Sequence, residues 1–559
     1  MRPLCILIFA VLSAAASATS QGDGSGGGIA PPNVLIVIAD DLGYGDVGAF
    51  GSQLIATPHI DGICADGVRM TSFYAHSTCS PSRAALLTGR YAQRIGLPGP
   101  IGTWSQRGLS PDETTIAEVL GPVGYRSAQF GKWHVGDGPE QQATGQGFDE
   151  FRGLLWGPTG IPLVLADSVQ GTLEYEPDLA DDFFDVTSHS LDFIDRAVTD
   201  GDPFFCIASY VAPHEPATAS PAFQGVSADG RDYGDSVEEL DHSVGLLLDH
   251  IATLGIDEST LVVFLSDNGA TYQRIPYQDG SNLPFSNGKG TTFEGGVRVP
   301  ACARWTGTIP PGLDVDAPLS ITDLFPTIAA YGGATLDPAI TIDGLDIGAI
   351  LEGGPADPNR VVHLSDGGGF NAVRRGRYKL RQGQLFDLEA DPEELVDVSA
   401  MFPTVAAELA LELDAIIASV ALDNRPASLS TRLTARFRGD FGLPSDPVDG
   451  DRWFTLSLDD RSLLLEDTDP LVDPARIEVP DAGTANTPRK AIHVPELSDG
   501  IRLTGPIAGL DPLGAFTVTF WYRPVVGGPG EAIALLDVGD ADAGLSITIG
   551  DGGIAGDDT

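Results

Sequence analysis

The run Asn33-Val34-Leu35-Ile36-Val37-Ile38-Ala39 is apolar from its second residue to its last and meets Asp40-Asp41 with no turn residue between. A strand without polar alternation has no solvent-facing side, so it must lie inside a sheet covered on both faces. The same pattern recurs at Leu261-Val262-Val263-Phe264-Leu265-Ser266, which ends on Asp267-Asn268-Gly269. Ser127 to Phe130 and Pro203 to Tyr210 read as two further strands. Ser236 to Leu254 carries a helical period, with Leu240, Val244, Leu247, Leu248 and Ile251 on one face. Pro403 to Val420 reads as a second amphipathic helix. Strands alternating with helices predict an α/β fold, a mostly parallel central sheet flanked by helices.

At 559 residues the chain is too long for one ordinary core, and its 42% apolar content can bury a sizeable one. The first residues read as a secretion signal: Arg2, the apolar run Leu4 to Leu12, then Ala16-Ser17-Ala18 as a cleavage site. Residues 1–18 are therefore expected to be removed, and 19–32 to form a flexible Gly/Ser-rich leader. No other stretch is long and apolar enough to cross a bilayer, and the expected location is secreted or periplasmic. A net charge of −46 argues against nucleic acid as a partner, since phosphates would be repelled. Beyond the signal, Cys64, Cys79, Cys206 and Cys302 allow one bridge at most once Cys79 is reserved for chemistry, and at least one thiol should stay free.

Ligands of open α/β sheets bind outside the carboxyl ends of the strands. Asp40-Asp41 and Asp267-Asn268 stand at two such ends and offer hard oxygen ligands for Ca²⁺ or Mg²⁺, although each pair is also an ordinary turn sequence. A third strand runs into Gly131-Lys132-Trp133-His134, and a fourth into Ala212-Pro213-His214-Glu215-Pro216. Only four lysines occur, so Lys132 beside His134 and Lys289 in Asn287-Gly288-Lys289-Gly290 are poor candidates for casual surface charge. Cations at several strand ends would make a positive pocket for a small anion inside an acidic protein. In Cys79-Ser80-Pro81-Ser82-Arg83, Pro81 suits a first helical turn and Gly89 its end. Cys79 then lies at a helix N-terminus, either as an inert buried thiol or as a low-pKa nucleophile.

Cys-Ser-Pro-Ser-Arg at 79–83 followed by Leu-Thr-Gly-Arg at 87–90 resembles the signature of the formylglycine-dependent sulfatases. Asp40 to Asp46, Thr57 to Asp61, Gly131 to His134, Asp267 to Gly269, Gly288 to Gly290, Glu294 to Pro300, and Gln384 to Leu388 with Asp391 to Glu393 follow in the same order. The resemblance spans roughly residues 33 to 420 and implies an alkaline-phosphatase-like sulfatase fold with a smaller C-terminal subdomain. It further implies that a maturation enzyme oxidises Cys79 to formylglycine, an aldehyde whose hydrate attacks sulfur. By the same resemblance, Asp40, Asp41, the modified Cys79, Asp267 and Asn268 hold Ca²⁺. Lys132, Lys289 and Arg83 would offset negative charge, His214 would protonate the leaving alcohol, and His134 would take a proton from the second hydroxyl of the hydrate. Glu215 is an alternative orienting residue, while Trp133, His59 and His76 read as packing or local-structure residues.

Past Asn424 the helical period is lost, and Ser457 to Leu465, Ala491 to Leu503 and Phe516 to Tyr522 read as strands. Residues 440–559 are expected to form a separate all-β sandwich, with Phe516 to Tyr522 resembling a laminin-G or concanavalin-like module, after a sulfatase domain at 33–424. The expected substrate is a sulfated carbohydrate before an aryl sulfate. The alternatives are a phosphate or phosphonate ester hydrolase of the same superfamily and a catalytically silent protein that grips sulfated glycans. Loops 94–107 and 154–179 are the expected determinants of substrate choice.

Overall fold

The computed structural model describes residues 31–429 except 103–104, 106, 159–163, 170–171, 176–181 and 272–279, and beyond them the backbone of strand segments between 433 and 551. The expected signal and most of the leader lie outside the described residues. The main sheet has ten strands: β1 Asn33–Ala39, β2 Val68–Met70, β3 Arg126–Gly131, β4 Glu150–Leu154, β5 Val164–Asp167, β6 Thr172–Tyr175, β7 Phe204–Ser209, β8 Thr260–Ser266, β9 Ala301–Arg304 and β10 Leu313–Val315. Their order is β10-β2-β9-β8-β1-β7-β3-β4-β5-β6. The five central strands, β8 through β4, run parallel, with β1 paired residue for residue to β8 from Asn33–Thr260 to Ala39–Ser266. Both margins turn antiparallel, so the sheet is more mixed than the strand–helix alternation predicts. Part of the expected loop 154–179 is the edge hairpin β5–β6.

The all-apolar β1 is buried on both sides, as its lack of alternation requires. Val34, Ile36 and Ile38 share a core with Ala84, Leu86 and Leu87 of helix α1, Cys79–Thr88. Leu35, Val37 and Ala39 face Phe193 and Ile194 of α2, Asp182–Asp200, and Val237, Leu240 and Val244 of α3, Asp232–Leu254. Successive strand residues point to opposite faces, so one seven-residue run serves two cores. Truncating a fully buried member such as Ile36 to Ala would cost about 2–5 kcal/mol.

A four-stranded antiparallel meander spanning Val361–Asp387 forms the smaller subdomain, with helix α4, Pro403–Leu422, packed on it. The chain stays tied to the main domain past the expected boundary at 424, because Ser428 and Leu429 pair with Gly108 and Arg107. Further on, the strands pair into antiparallel sheets of four and five. Ser457 to Leu465 and Ala491 to Leu503, expected as strands split by Gly/Pro/Asp turns, each divide between two. Phe516–Tyr522 is a strand as expected.

A buried ionic cluster clamps the meander to the main domain. Lys379 Nζ lies 2.8 Å from Glu294 Oε1 and 3.1 Å from Glu394 Oε1, with all three side chains out of solvent. Tyr74 Oη donates to Glu294 at 2.7 Å, and Arg298 closes at 3.2 Å. Burial works to raise the Glu294 carboxyl, but Lys379, Arg298 and Arg374 hold it down at about 2 against an ordinary 4.5. A carboxyl depressed on folding stabilises the fold above its unfolded value and loses that contribution as pH falls. The protein should therefore unfold more readily as pH drops from about 4.5 toward 2. Lys379→Met, which strands two carboxylates, should cost about 3 kcal/mol or more at pH 7. Urea titrations of parent and variant at pH 7 and pH 4 test both statements, and equal midpoints for the two proteins would refute the clamp.

Candidate active site

Four adjacent parallel strands, β8, β1, β7 and β3, deliver their carboxyl ends to one place. β1 delivers Asp40 and Asp41, β8 delivers Asp267 and Asn268, β3 leads into Lys132 and His134, and β7 leads toward His214. The turn after β3 needs glycine: Gly131 has φ +92°, and a Cβ there would lie 1.9 Å from the Ser209 carbonyl oxygen. That close approach lets Lys132 N–H donate to the same carbonyl at 2.8 Å. Asp41 and His134 themselves have φ of 65° and 62°, conformations that side chains other than glycine hold only when their surroundings enforce them.

Three ion pairs neutralise the cluster. Lys132 Nζ sits 2.5 Å from Asp40 Oδ2, Arg83 Nη2 2.8 Å from Asp267 Oδ2, and Lys289 Nζ 2.7 Å from Asp41. Burial would raise the Asp40 carboxyl, yet Lys132, His214 and Arg83 hold it far below the ordinary range. Asp267 goes the other way, pushed up to about 6 by burial and by Asp40 beside it, against the pull of Arg83. Two carboxylates with oxygens within 4.8 Å of each other cannot both ionise cheaply without another cation.

The cluster has the character of a cation site. Asp40, Cys79 and Asp267 each present an atom within 4.8 Å of the others, and so do Asp40, Asp41 and His214. Asp40 Oδ1 and Asn268 Oδ1 are buried without a hydrogen-bond partner among the described residues. The Asn268 amide is fixed by donation to Asp41 Oδ1 at 2.7 Å and to the Gly269 carbonyl at 2.9 Å, which leaves its oxygen unspent. Unpaired oxygens among ionised carboxylates fit a hard divalent cation such as Ca²⁺.

Cys79 begins α1, as its sequence context predicts, and is 3% exposed. Burial pushes its thiol up despite Lys132 and Lys289, so of the two readings open from the sequence the low-pKa thiolate is disfavoured. Arg83, one turn on, also donates to the Lys132 carbonyl at 2.7 Å and to Ser209 Oγ at 2.5 Å. His134 Nε2 donates to the Ile101 carbonyl at 2.8 Å, leaving Nδ1 buried and without a partner among the described residues. Burial first, then Lys132, keeps that ring neutral at physiological pH. His214 Nδ1 donates to the backbone carbonyl of Glu215 at 2.6 Å, and its Nε2 stands 3.6 Å from Asp41. Glu215 thus orients its neighbour through its backbone.

Every residue given a catalytic or metal-binding role from the sequence meets here. Ser209, Thr271, whose hydroxyl reaches Asp41 at 3.4 Å, and the carbonyl of Ile101 were not foreseen. Ser209 ends a strand already implicated, while a backbone carbonyl carries no sequence signal. Trp133 is a packing residue, buried with Nε1 on the Gln141 carbonyl, and His76 bonds Ser365. Cys64, Cys79, Cys206 and Cys302 are all free thiols and buried.

Strand-end carboxylates, a hard-cation cradle and three cations around a helix N-terminus define a hydrolase of small oxyanion esters. The chain belongs to the sulfatase family, whose model, described as Sulfatase, matches residues 32–334. It is 39% identical over 400 residues to arylsulfatase A of Bos taurus, covering 65% of this chain and 78% of that protein. N-acetylgalactosamine-6-sulfatase of Canis lupus familiaris is 38% identical over 389 residues, covering 65% and 73%. The crystal structure of Ps i-CgsB in complex with k-i-k-neocarrahexaose superposes with a TM-score of 0.64 at 29% identity, over 72% of this chain and 95% of that one. The protein is a sulfuric ester hydrolase.

An unconverted thiol at position 79 should be nearly inert in the folded protein. Iodoacetamide at pH 7.5 should label it roughly a hundredfold slower than in urea, read by peptide mass. Equal rates would mean that Cys79 is exposed or ionised.

Proposed function

We propose that the enzyme removes sulfate from a sulfated carbohydrate, using formylglycine made from Cys79 and a bound Ca²⁺. The observation that carries this reading is the convergence of Cys79, three carboxylates and three cations on one point, with Asp40 Oδ1 and Asn268 Oδ1 left unpaired. Asp40, Asp41, Asp267, Asn268 and position 79 would hold the ion, which would polarise the sulfate oxygens. The hydrated aldehyde at position 79 would supply the attacking oxygen, its proton passing to solvent as the new S–O bond forms and the S–O bond to the alcohol breaks.

The residues present divide the remaining work. Lys132 and Lys289 bring positive charge to the sulfate oxygens and to position 79, while Arg83 holds Asp267 and adds a third cation. Formal charge supports an anionic substrate: three carboxylates cancel the three Lys and Arg cations, and a divalent ion would add positive charge for the sulfate to meet. His214 gives a proton from Nε2 to the departing alcohol oxygen, its Nδ1 being committed to Glu215. His134 accepts a proton at Nδ1 from the second hydroxyl at position 79, so that sulfate leaves and the aldehyde returns.

A carbohydrate sulfate is favoured by the expected secretion signal, by the strand-rich segment beyond 432, and by similarity to an N-acetylgalactosamine-6-sulfatase and to a structure holding an oligosaccharide. On this reading residues 1–18 are a signal, 19–32 a leader, 33–424 with the paired extension to 429 the catalytic domain, and 440–559 a laminin-G or concanavalin-like sandwich. The mature enzyme would be secreted or periplasmic, converted by a maturation enzyme of its host.

The test is made on protein secreted by its own host. The peptide containing position 79 should carry an aldehyde in place of the thiol. Sulfate esters should turn over at least about a thousandfold faster than matched phosphate esters, and Cys79→Ala should abolish turnover. Chelation should lower activity, and Ca²⁺ should restore it. A preference for phosphate would point to the phosphate or phosphonate hydrolase. Glycan binding without turnover, with the thiol intact, would point to the silent binder.

A further inference from the structure

We propose that Ser80 is a positioning residue for the base His134, acting through the backbone of Ile101. The inference rests on the reading of His134 as proton acceptor. That role needs the neutral ring in one tautomer, with hydrogen on Nε2 and the lone pair on Nδ1. The Ile101 carbonyl imposes it, because a carbonyl can only accept, and Nε2 lies 2.8 Å away. Among the described residues, Nδ1 is left buried and unpaired. Beside it lies Gly157, where even a Cβ would come within 3.9 Å of Nδ1, so no side chain at that position covers the lone pair.

Ile101 has no helix or strand to hold it; it lies between Pro100 and Gly102 in an irregular stretch. Its N–H is donated to Ser80 Oγ at 3.0 Å. The N–H and the carbonyl of one residue belong to successive peptide planes, so Ser80 holds one plane and the next holds the imidazole. Ser80 itself is completely buried in the first turn of α1, next to Cys79. One rigid helical turn therefore fixes both the reacting position and, at two removes, the base that serves it. Loop 98–102 lies in the stretch expected to face the substrate, and the latch ties that loop to the chemistry.

The hydroxyl acts as an acceptor, so Thr can replace it and Ala cannot. Removing it leaves a buried N–H unsatisfied and frees the Ile101 peptide to turn. The experiment compares full-length parent, Ser80→Ala and Ser80→Thr. Peptide mass measures conversion at position 79, steady-state kinetics use 4-nitrophenyl sulfate, and ¹⁵N NMR of labelled histidine reads the His134 tautomer. Expected for Ser80→Ala are parent-like conversion, kcat down about tenfold per converted site, KM within about twofold, and loss of the single Nε2–H tautomer. Ser80→Thr should restore all of these. Parent-like kcat and tautomer in the Ala variant would overturn the proposal. So would failure of Thr to rescue, or a defect confined to conversion, which would assign Ser80 to maturation. The tautomer signal is independent of turnover, so failure of the sulfatase reading itself would appear separately, as a parent that cleaves no sulfate ester.

Discussion

Three carboxylates buried at neighbouring strand ends must be neutralised, and much of the site follows from how that is done. An unpaired buried charge costs several kcal/mol, so Asp40, Asp41 and Asp267 each take a cation from a different part of the chain. Lys132 arrives from the turn after β3, Arg83 from helix α1, and Lys289 from the Gly288–Gly290 loop. The ion pairs are thus also the ties that hold strands, helix and loop at fixed separation. An acidic chain of net charge −46 concentrates three of its 32 basic residues on a single point. There they cancel the charge of the three carboxylates.

This arrangement joins stability to catalysis at the same atoms. Asp40 and Asn268 keep oxygens unspent while being otherwise fully engaged, which is a cost the fold accepts where a ligand is to bind. Asp41 and His134 accept left-handed backbone, and Gly131 accepts a carbonyl where a side chain would stand. Each local departure lies within a residue or two of the chemistry, while the strands that support it are regular and apolar. Away from the site, the Glu294–Lys379–Glu394 cluster solves a similar electrostatic problem by pairing carboxylates with a buried lysine, and serves to clamp the subdomain.

Much of this was legible in the chain. Asn33 to Ala39 could be nothing but a doubly covered strand, and it is one, to the residue. The helix from Cys79 to Gly89 announces itself by Pro81 and the terminal glycine, whose φ is 67°. The scarcity of lysine marked Lys132 and Lys289, and both are paired in the site; Lys379, equally scarce, is buried for a structural reason the count could not distinguish. The antiparallel margins of the sheet carry no signal in the sequence, because a short strand such as Val164–Asp167 takes its direction from a neighbour, not from its own pattern. The runs at 457–465 and 491–503 each touch two strands, and propensity does not register where one pairing stops and the next begins.

Sequence alone determined the periods, the residue types at each strand end and the order of the motifs, and so the class of fold and the family of chemistry. Tertiary structure alone decided which carboxylate faces which cation, which oxygens remain free, and which nitrogen of His134 carries its proton. Those depend on contacts between residues as far apart as Asp41 and Lys289, or on a backbone carbonyl at Ile101. Periodicity is a local property of the chain. Pairing, burial and tautomer are set by distances that exist only once the strands lie side by side.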